Sequence, residues 1–163
     1  MDDPSPQVYA ALDALAIPYR RFEHPPVFTS AEADEHWREL PGIRLKNLFL
    51  RNKKGDRHYL VIVPIEKRVD LKELVRFVDD DRLSFGSPER LMTELGLTPG
   101  SVSPFGLLND DDGSVRVLID EDLKGAPGLM FHPNINTATV VISWADFERF
   151  LATRRNRVDF VRL

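Results

Sequence analysis

Apolar positions along this chain alternate between helical and extended spacing. Val8, Leu12 and Leu15 form a helical stripe behind Ser5-Pro6, a capping residue followed by one suited to a first turn, and Ile17-Pro18 ends it. Tyr19 to His24 reads as a strand stopped by Pro25-Pro26. Thr29-Ser30-Ala31-Glu32 has the form of a capping box and predicts a short helix through Trp37. Ile43 to Arg51 and His58 to Pro64 predict two strands joined through Asn52-Lys53-Lys54-Gly55-Asp56 as a hairpin. Asp70 with Glu73 begins a helix through Val78, and Ser87-Pro88 begins another that stops at Gly96. Thr98 to Asn109 is a loop rich in Gly, Ser and Pro. Val115 to Asp120, Leu129 to His132 and Thr137 to Ile142 are strand-like. Ser143 with Asp146 caps a helix through Thr153, and Val158 to Leu163 suggests a last strand. Helices and strands mix without strict βαβ alternation, which favours an α/β (α+β) arrangement with a mixed, partly antiparallel sheet.

Composition narrows the chemistry. The 163 residues fit a single domain spanning 1–163, large enough to bury a proper core. The chain has no cysteine, which removes disulfides, thiolate metal sites and a thiol nucleophile together and fits a cytoplasmic setting. No run approaches the roughly 20 apolar residues of a membrane span, and the acidic start Met1-Asp2-Asp3-Pro4 does not resemble a signal peptide. A net charge of −4 argues against coating nucleic acid but allows a local basic grip on one end of an RNA. No phosphate loop, GxGxxG run, nucleophile elbow or helical histidine pair is present, so neither a metal nor a cofactor is expected. Asp110-Asp111-Asp112-Gly113 fails as a calcium loop because Leu108 and Ile119 would fall at the ligand positions, so it reads as a solvated turn. Asp79-Asp80-Asp81 reads the same way.

Four features remain that could carry chemistry. Lys46 shares a strand face with Arg44, Leu48 and Leu50, so its ammonium sits where a polar stretch becomes apolar on both faces. The competing reading is a surface lysine whose stem covers apolar neighbours. Asn47 lies on the opposite parity, and a bulge could bring both side chains to one site. Gly100-Ser101-Val102-Ser103-Pro104-Phe105-Gly106 is a constrained loop in which Ser103-Pro104 could open a turn that aims N–H groups at an anion or carbonyl; a plain connection is the alternative. His132-Pro133-Asn134-Ile135-Asn136-Thr137 sets one histidine and two amides between strands, either to bind an amine or hydroxyl or merely to make turns. Basic residues gather at Arg51, Lys53, Lys54 and Arg57 and again at Arg154, Arg155 and Arg157, as phosphate contacts or as ordinary surface charge.

Together Arg44-Leu45-Lys46-Asn47-Leu48-Phe49-Leu50, Leu95-Gly96 through Gly106, Leu107-Leu108-Asn109-Asp110 and His132-Pro133-Asn134-Ile135-Asn136-Thr137-Ala138-Thr139 resemble the YbaK/ProX family of aminoacyl-tRNA deacylases. Within it the chain is most similar to the branch that hydrolyses Ala-tRNA(Pro). The resemblance implies a curved, mixed central sheet surrounded by helices, and editing in trans, with hydrolysis of the alanyl ester and without cofactor or metal. It implies as partners the acceptor end of mischarged tRNA(Pro) and prolyl-tRNA synthetase, and no DNA or membrane. It assigns Lys46 as the functional lysine and Gly100 to Pro104 as a G-x-x-x-P loop with Ser101 and Ser103, and it puts His132 in the pocket. Asn47, Asn134 and Asn136 are further pocket candidates. Cys-tRNA(Pro) deacylation and a non-catalytic RNA- or protein-binding module are the alternatives.

Overall fold

The computed structural model describes residues 3–26 and 41–163. The helix expected from Thr29 to Trp37 lies outside the described residues. One mixed sheet organises the rest. Its strands are β1 (Arg20–Glu23), β2 (Ile43–Asn52), β3 (His58–Pro64), β4 (Leu83–Phe85), β5 (Val115–Asp120), β6 (Leu129–Phe131), β7 (Ala138–Ile142) and β8 (Val158–Val161). They lie in the order β1-β7-β6-β2-β3-β5-β8, and β4 pairs with one end of β2. Pairings β1–β7, β7–β6, β2–β3 and β2–β4 are antiparallel; β6–β2, β3–β5 and β5–β8 are parallel.

The helices are α1 (Ser5–Ala14), α2 (Leu71–Leu74), α3 (Pro88–Leu95) and α4 (Trp144–Ala152). Capping explains most of their boundaries. Asp70, Ser87 and Ser143 each accept a backbone N–H of the first turn, and Gly96 ends α3 in the left-handed conformation at φ 66°. At α1 the cap differs from expectation. The Ser5 N–H donates to the carboxylate of Asp3 at 2.8 Å, so Asp3 does the capping.

The pleat divides the apolar residues between two cores. Leu45, Phe49, Leu60, Ile62, Val117, Phe131 and Val140 face one side, where α1, α3 and α4 cover them with a 3₁₀ turn (Pro104–Asn109). Leu50, Tyr59, Val61, Val63 and Leu118 face the other, under α2 and the turn Val75–Phe77 that continues it. Because β3 is buried on both faces, it reads in sequence as an unbroken apolar run. Edge-to-face aromatic pairs join Phe105 to Phe131 and to Phe150, with centroids 5.7 and 5.2 Å apart. These rings stiffen the region beneath β6.

The acidic turns are more structured than the sequence suggested. Asp111 and Asp112 are exposed, but Asp110 is buried. Its carboxylate accepts the N–H groups of Ser114 and Val115 and the Asn156 amide, the last at 2.7 Å. It therefore ties the 3₁₀ turn, β5 and the segment leading to β8 together. Asp80 likewise accepts the Tyr59 hydroxyl at 2.7 Å, and burial, reinforced by this bond, pushes the tyrosine up to about 12. Replacing Asp110 by alanine strands two buried donors and should cost about 2–4 kcal/mol in urea unfolding. Asp111→Ala should leave the unfolding midpoint unchanged; equal effects would refute the distinction.

Candidate active site between β2 and β6

Strands β2 and β6 meet at glycines. The Ile43 N–H donates to the Gly128 carbonyl at 2.8 Å, and a Cβ placed on Gly42 would lie 3.1 Å from the Gly128 backbone. Pairing then runs for two residues only, Ile43 with Leu129 and Arg44 with Met130. Beyond them the strands part. On the far end of the same edge β4 takes over, at Leu50 to Asn52. Between these contacts the edge of β2 from Leu45 to Leu48 has no strand partner among the described residues.

A cavity of about 230 Å³ occupies this gap. Arg44, Leu45, Lys46 and Asn47 line its β2 side, and Met130, Phe131, His132 and Thr139 line the β6–β7 side. Gly100, Val102 and Ile65 complete it. The volume falls below the roughly 300–1,000 Å³ usual for drug-sized ligands. Continued by two residues, the β2–β6 register would set Lys46 beside His132 on one sheet face, so both walls of the split carry a polar side chain.

Lys46 and Asn47 thus share the cavity, but not through a bulge. The β2–β3 register is unbroken from Leu45–Pro64 to Arg51–His58. Opposite-parity neighbours reach one space because the strand edge itself is open. Lys46 makes no ion pair or hydrogen bond among the described residues. Asn47 has its amide oxygen buried without a partner, an arrangement that ordinarily marks a site completed by a ligand or water.

The glycine loop divides. Gly100 holds φ 90°, a glycine conformation, with nothing near its Cα on the side where a Cβ would stand. Among the described residues the N–H groups of Gly100 and Val102 make no backbone hydrogen bond, whereas that of Ser101 is donated to the Thr98 carbonyl. Ser103 and Pro104 do open a turn, but its start is buried. Ser103 caps it by accepting the Phe105 N–H at 3.2 Å, and neither residue lines the cavity. Ser101 is buried away from it too.

The His132 segment also divides. His132 lines the cavity, and its Nδ1–H donates to the Ala138 carbonyl at 3.2 Å. Burial lowers its pKa, with nearby His24 adding to the effect against the Ala138 bond, so the ring is held neutral. Asn134 and Asn136 do not line the cavity. Asn134 instead takes a left-handed turn at φ 65°, with its buried amide unpartnered.

Sequence reasoning missed Thr139 and its partner His24, whose Nε2 lies 2.9 Å from the Thr139 hydroxyl. A signal existed: Thr139 is the lone polar residue in an otherwise apolar strand, and a buried hydroxyl needs a partner. The basic clusters are largely engaged locally. Arg51 donates to backbone carbonyls of its own turn, Arg57 pairs with Asp80 and Arg157 with Asp159.

Comparison with known proteins decides the family. The model of the aminoacyl-tRNA editing domain matches residues 24–150, which include every residue lining the cavity. The chain belongs to the aminoacyl-tRNA editing family. As such it is an enzyme, an aminoacyl-tRNA deacylase. It is 42% identical over 161 residues, 99% of this chain and 98% of the other, to the prolyl-tRNA editing protein ProX of Acetoanaerobium sticklandii. It is 35% identical over 144 residues to the prolyl-tRNA synthetase associated domain-containing protein 1 of Bos taurus, covering 86% of this chain and 84% of that one. A solved structure described as a candidate trans-editing enzyme for prolyl tRNA synthetase superposes with a TM-score of 0.73 at 24% identity, covering 100% of this chain and 99% of that one. That likeness establishes the shared mixed α/β fold.

The depressed histidines make stability pH-dependent. Burial lowers both His132 and His58. The unfolded chain then binds more protons than the folded one, so stability is complete above about pH 6.5 and falls as pH drops below it. Urea midpoints between pH 8 and 5 should show this decline, and His132→Gln should flatten it. An unchanged slope in the variant would contradict a neutral buried ring.

Proposed function

We propose that this protein hydrolyses the ester of mischarged Ala-tRNA(Pro) in trans, releasing alanine and tRNA(Pro), and so acts beside prolyl-tRNA synthetase. The observation that carries the reading is the small cavity in the β2–β6 split, lined by Lys46 and by Gly100 and Val102, whose N–H groups make no backbone hydrogen bond among the described residues. The names of its relatives supply the tRNA: one is a prolyl-tRNA editing protein, others are prolyl-tRNA synthetase associated.

The chemistry asked of the site is modest. An aminoacyl ester is activated by its own α-ammonium and by the neighbouring ribose hydroxyl, so correct placement and charge stabilisation suffice. The Lys46 ammonium holds the ester or the terminal phosphate. The N–H groups of Gly100 and Val102 face the carbonyl oxygen as it gains charge. Water attacks the ester carbonyl, the bond from the acyl carbon to the ribose oxygen breaks, and the neighbouring ribose hydroxyl passes its own proton to the departing oxygen as it takes one from the water. His132, held neutral, adds no further cation to those of Lys46 and Arg44.

Size explains the need. A synthetase pocket shaped for proline cannot strongly reject alanine, because missing methylenes change binding by only about 1–3 kcal/mol. A second, smaller cavity admits alanine and leaves proline outside. Purified protein should deacylate alanyl-tRNA(Pro) and spare prolyl-tRNA(Pro). Lys46→Ala should slow the reaction on the order of 10²–10³-fold with an unchanged melting temperature. Faster turnover of cysteinyl-tRNA(Pro) would reassign the cargo, and near-normal activity of the lysine variant would remove Lys46 from the mechanism.

A further inference from the structure

The β7 wall of the cavity carries a hydroxyl that the chemistry above does not use. Thr139 lines the cavity and is 2% exposed. Continuing the β6–β7 register by one residue sets it beside His132, on the sheet face that also carries Lys46. Its Oγ1 is 2.9 Å from His24 Nε2, and His24 Nδ1 is 2.9 Å from the Pro25 carbonyl oxygen.

This chain of contacts has a direction. A carbonyl only accepts, so His24 Nδ1 carries a proton. In the tautomer that this contact selects, Nε2 accepts the proton of the Thr139 hydroxyl. A hydroxyl has one proton, so with that proton committed Thr139 meets any further group as an acceptor. His132 is oriented alike, with Nδ1–H on the Ala138 carbonyl and Nε2 of acceptor type. The β6–β7 wall therefore presents acceptors, while the β2 wall opposite carries the Lys46 ammonium together with Arg44 and the Asn47 amide.

We propose that Thr139 receives the α-ammonium of the aminoacyl group and that His24 is the positioning residue that fixes Thr139 as an acceptor. The inference rests on the deacylase reading of this cavity. An α-ammonium seated against β7 turns the ester carbonyl toward Lys46 and the Gly100 loop. It also gives the enzyme a means of telling an amino-acid ester from another small acyl ester, which apolar walls alone cannot supply.

The test compares single-turnover hydrolysis of alanyl-tRNA(Pro) with that of propionyl-tRNA(Pro), which has the same carbon skeleton and lacks the amine. Each variant is scored against the wild type on the same ester. Thr139→Val should slow the alanyl ester roughly 10- to 100-fold, as expected for losing a hydrogen bond to a charged group, and leave the propionyl ester unchanged. Thr139→Ser keeps the hydroxyl and should stay near wild type. His24→Phe should reproduce part of the loss, His24→Gln should recover it, and His24→Phe combined with Thr139→Val should be no slower than Thr139→Val alone. Thr139→Ala replaces the valine variant if melting shows that valine disturbs the fold. Equal slowing of both esters, or full alanyl activity in Thr139→Val while Lys46→Ala is inactive, overturns the assignment of Thr139. Additive effects in the double variant overturn the role of His24. A wild-type protein that hydrolyses no aminoacyl-tRNA overturns the deacylase reading itself.

Discussion

Everything at the site follows from how briefly β2 and β6 are paired. Two glycines, Gly42 and Gly128, bring the strands together, two residue pairs hold them, and then they part. β2 cannot follow β6, because it is committed over seven residue pairs to β3, which β5 in turn holds on its other side. β6 cannot follow β2, because it is held by β7 and backed by the packed rings of Phe105 and Phe147. The split is thus fixed by two well-formed half-sheets. Crevices that open where neighbouring strands diverge are where open α/β sheets commonly bind ligands.

The split also explains how neighbouring side chains of β2 reach one space. A strand edge without a neighbour leaves side chains of both parities and the local backbone facing the same space. Lys46 and Asn47 therefore line one cavity without distortion of β2. Across from them His24 and His132 each direct one ring nitrogen to a backbone carbonyl. The β2 wall carries the Lys46 ammonium, the Arg44 side chain and the Asn47 amide, and the facing wall carries His132 and Thr139, so both walls offer polar groups to a small ester. Preorganisation of this kind needs no metal, triad or thiol.

Much of this was legible in the sequence, and the exceptions have a common cause. Local signals read well: β3 and β5 have the bounds expected from their apolar runs, and Ser87, Gly96 and Ser143 mark helix ends as capping chemistry requires. Lys46 sits at a strand's polar-to-apolar transition, a pattern that by itself favours a surface lysine; the family resemblance singled it out. Nonlocal facts did not read. The three-residue β4 is defined only by its pairing to β2. His24 and Thr139 lie 115 residues apart, and no spacing rule joins them. Ser103 misled because a serine before proline suits a turn cap as well as a binding loop, and here burial decides for the cap. Asp110 misled for the converse reason: its two exposed neighbours give it the pattern of a solvated turn, while its own carboxylate is inside.

The central claim is that the aminoacyl end binds in the gap between β2 and β6. The most direct measurement is a crystal structure with adenosine carrying alanine through a non-hydrolysable 3′-amide. The account predicts the alanyl group inside the split, its carbonyl toward Lys46 and Gly100 and its ammonium toward β7. Alanine bound elsewhere, with Lys46 and Asn47 untouched, would contradict it.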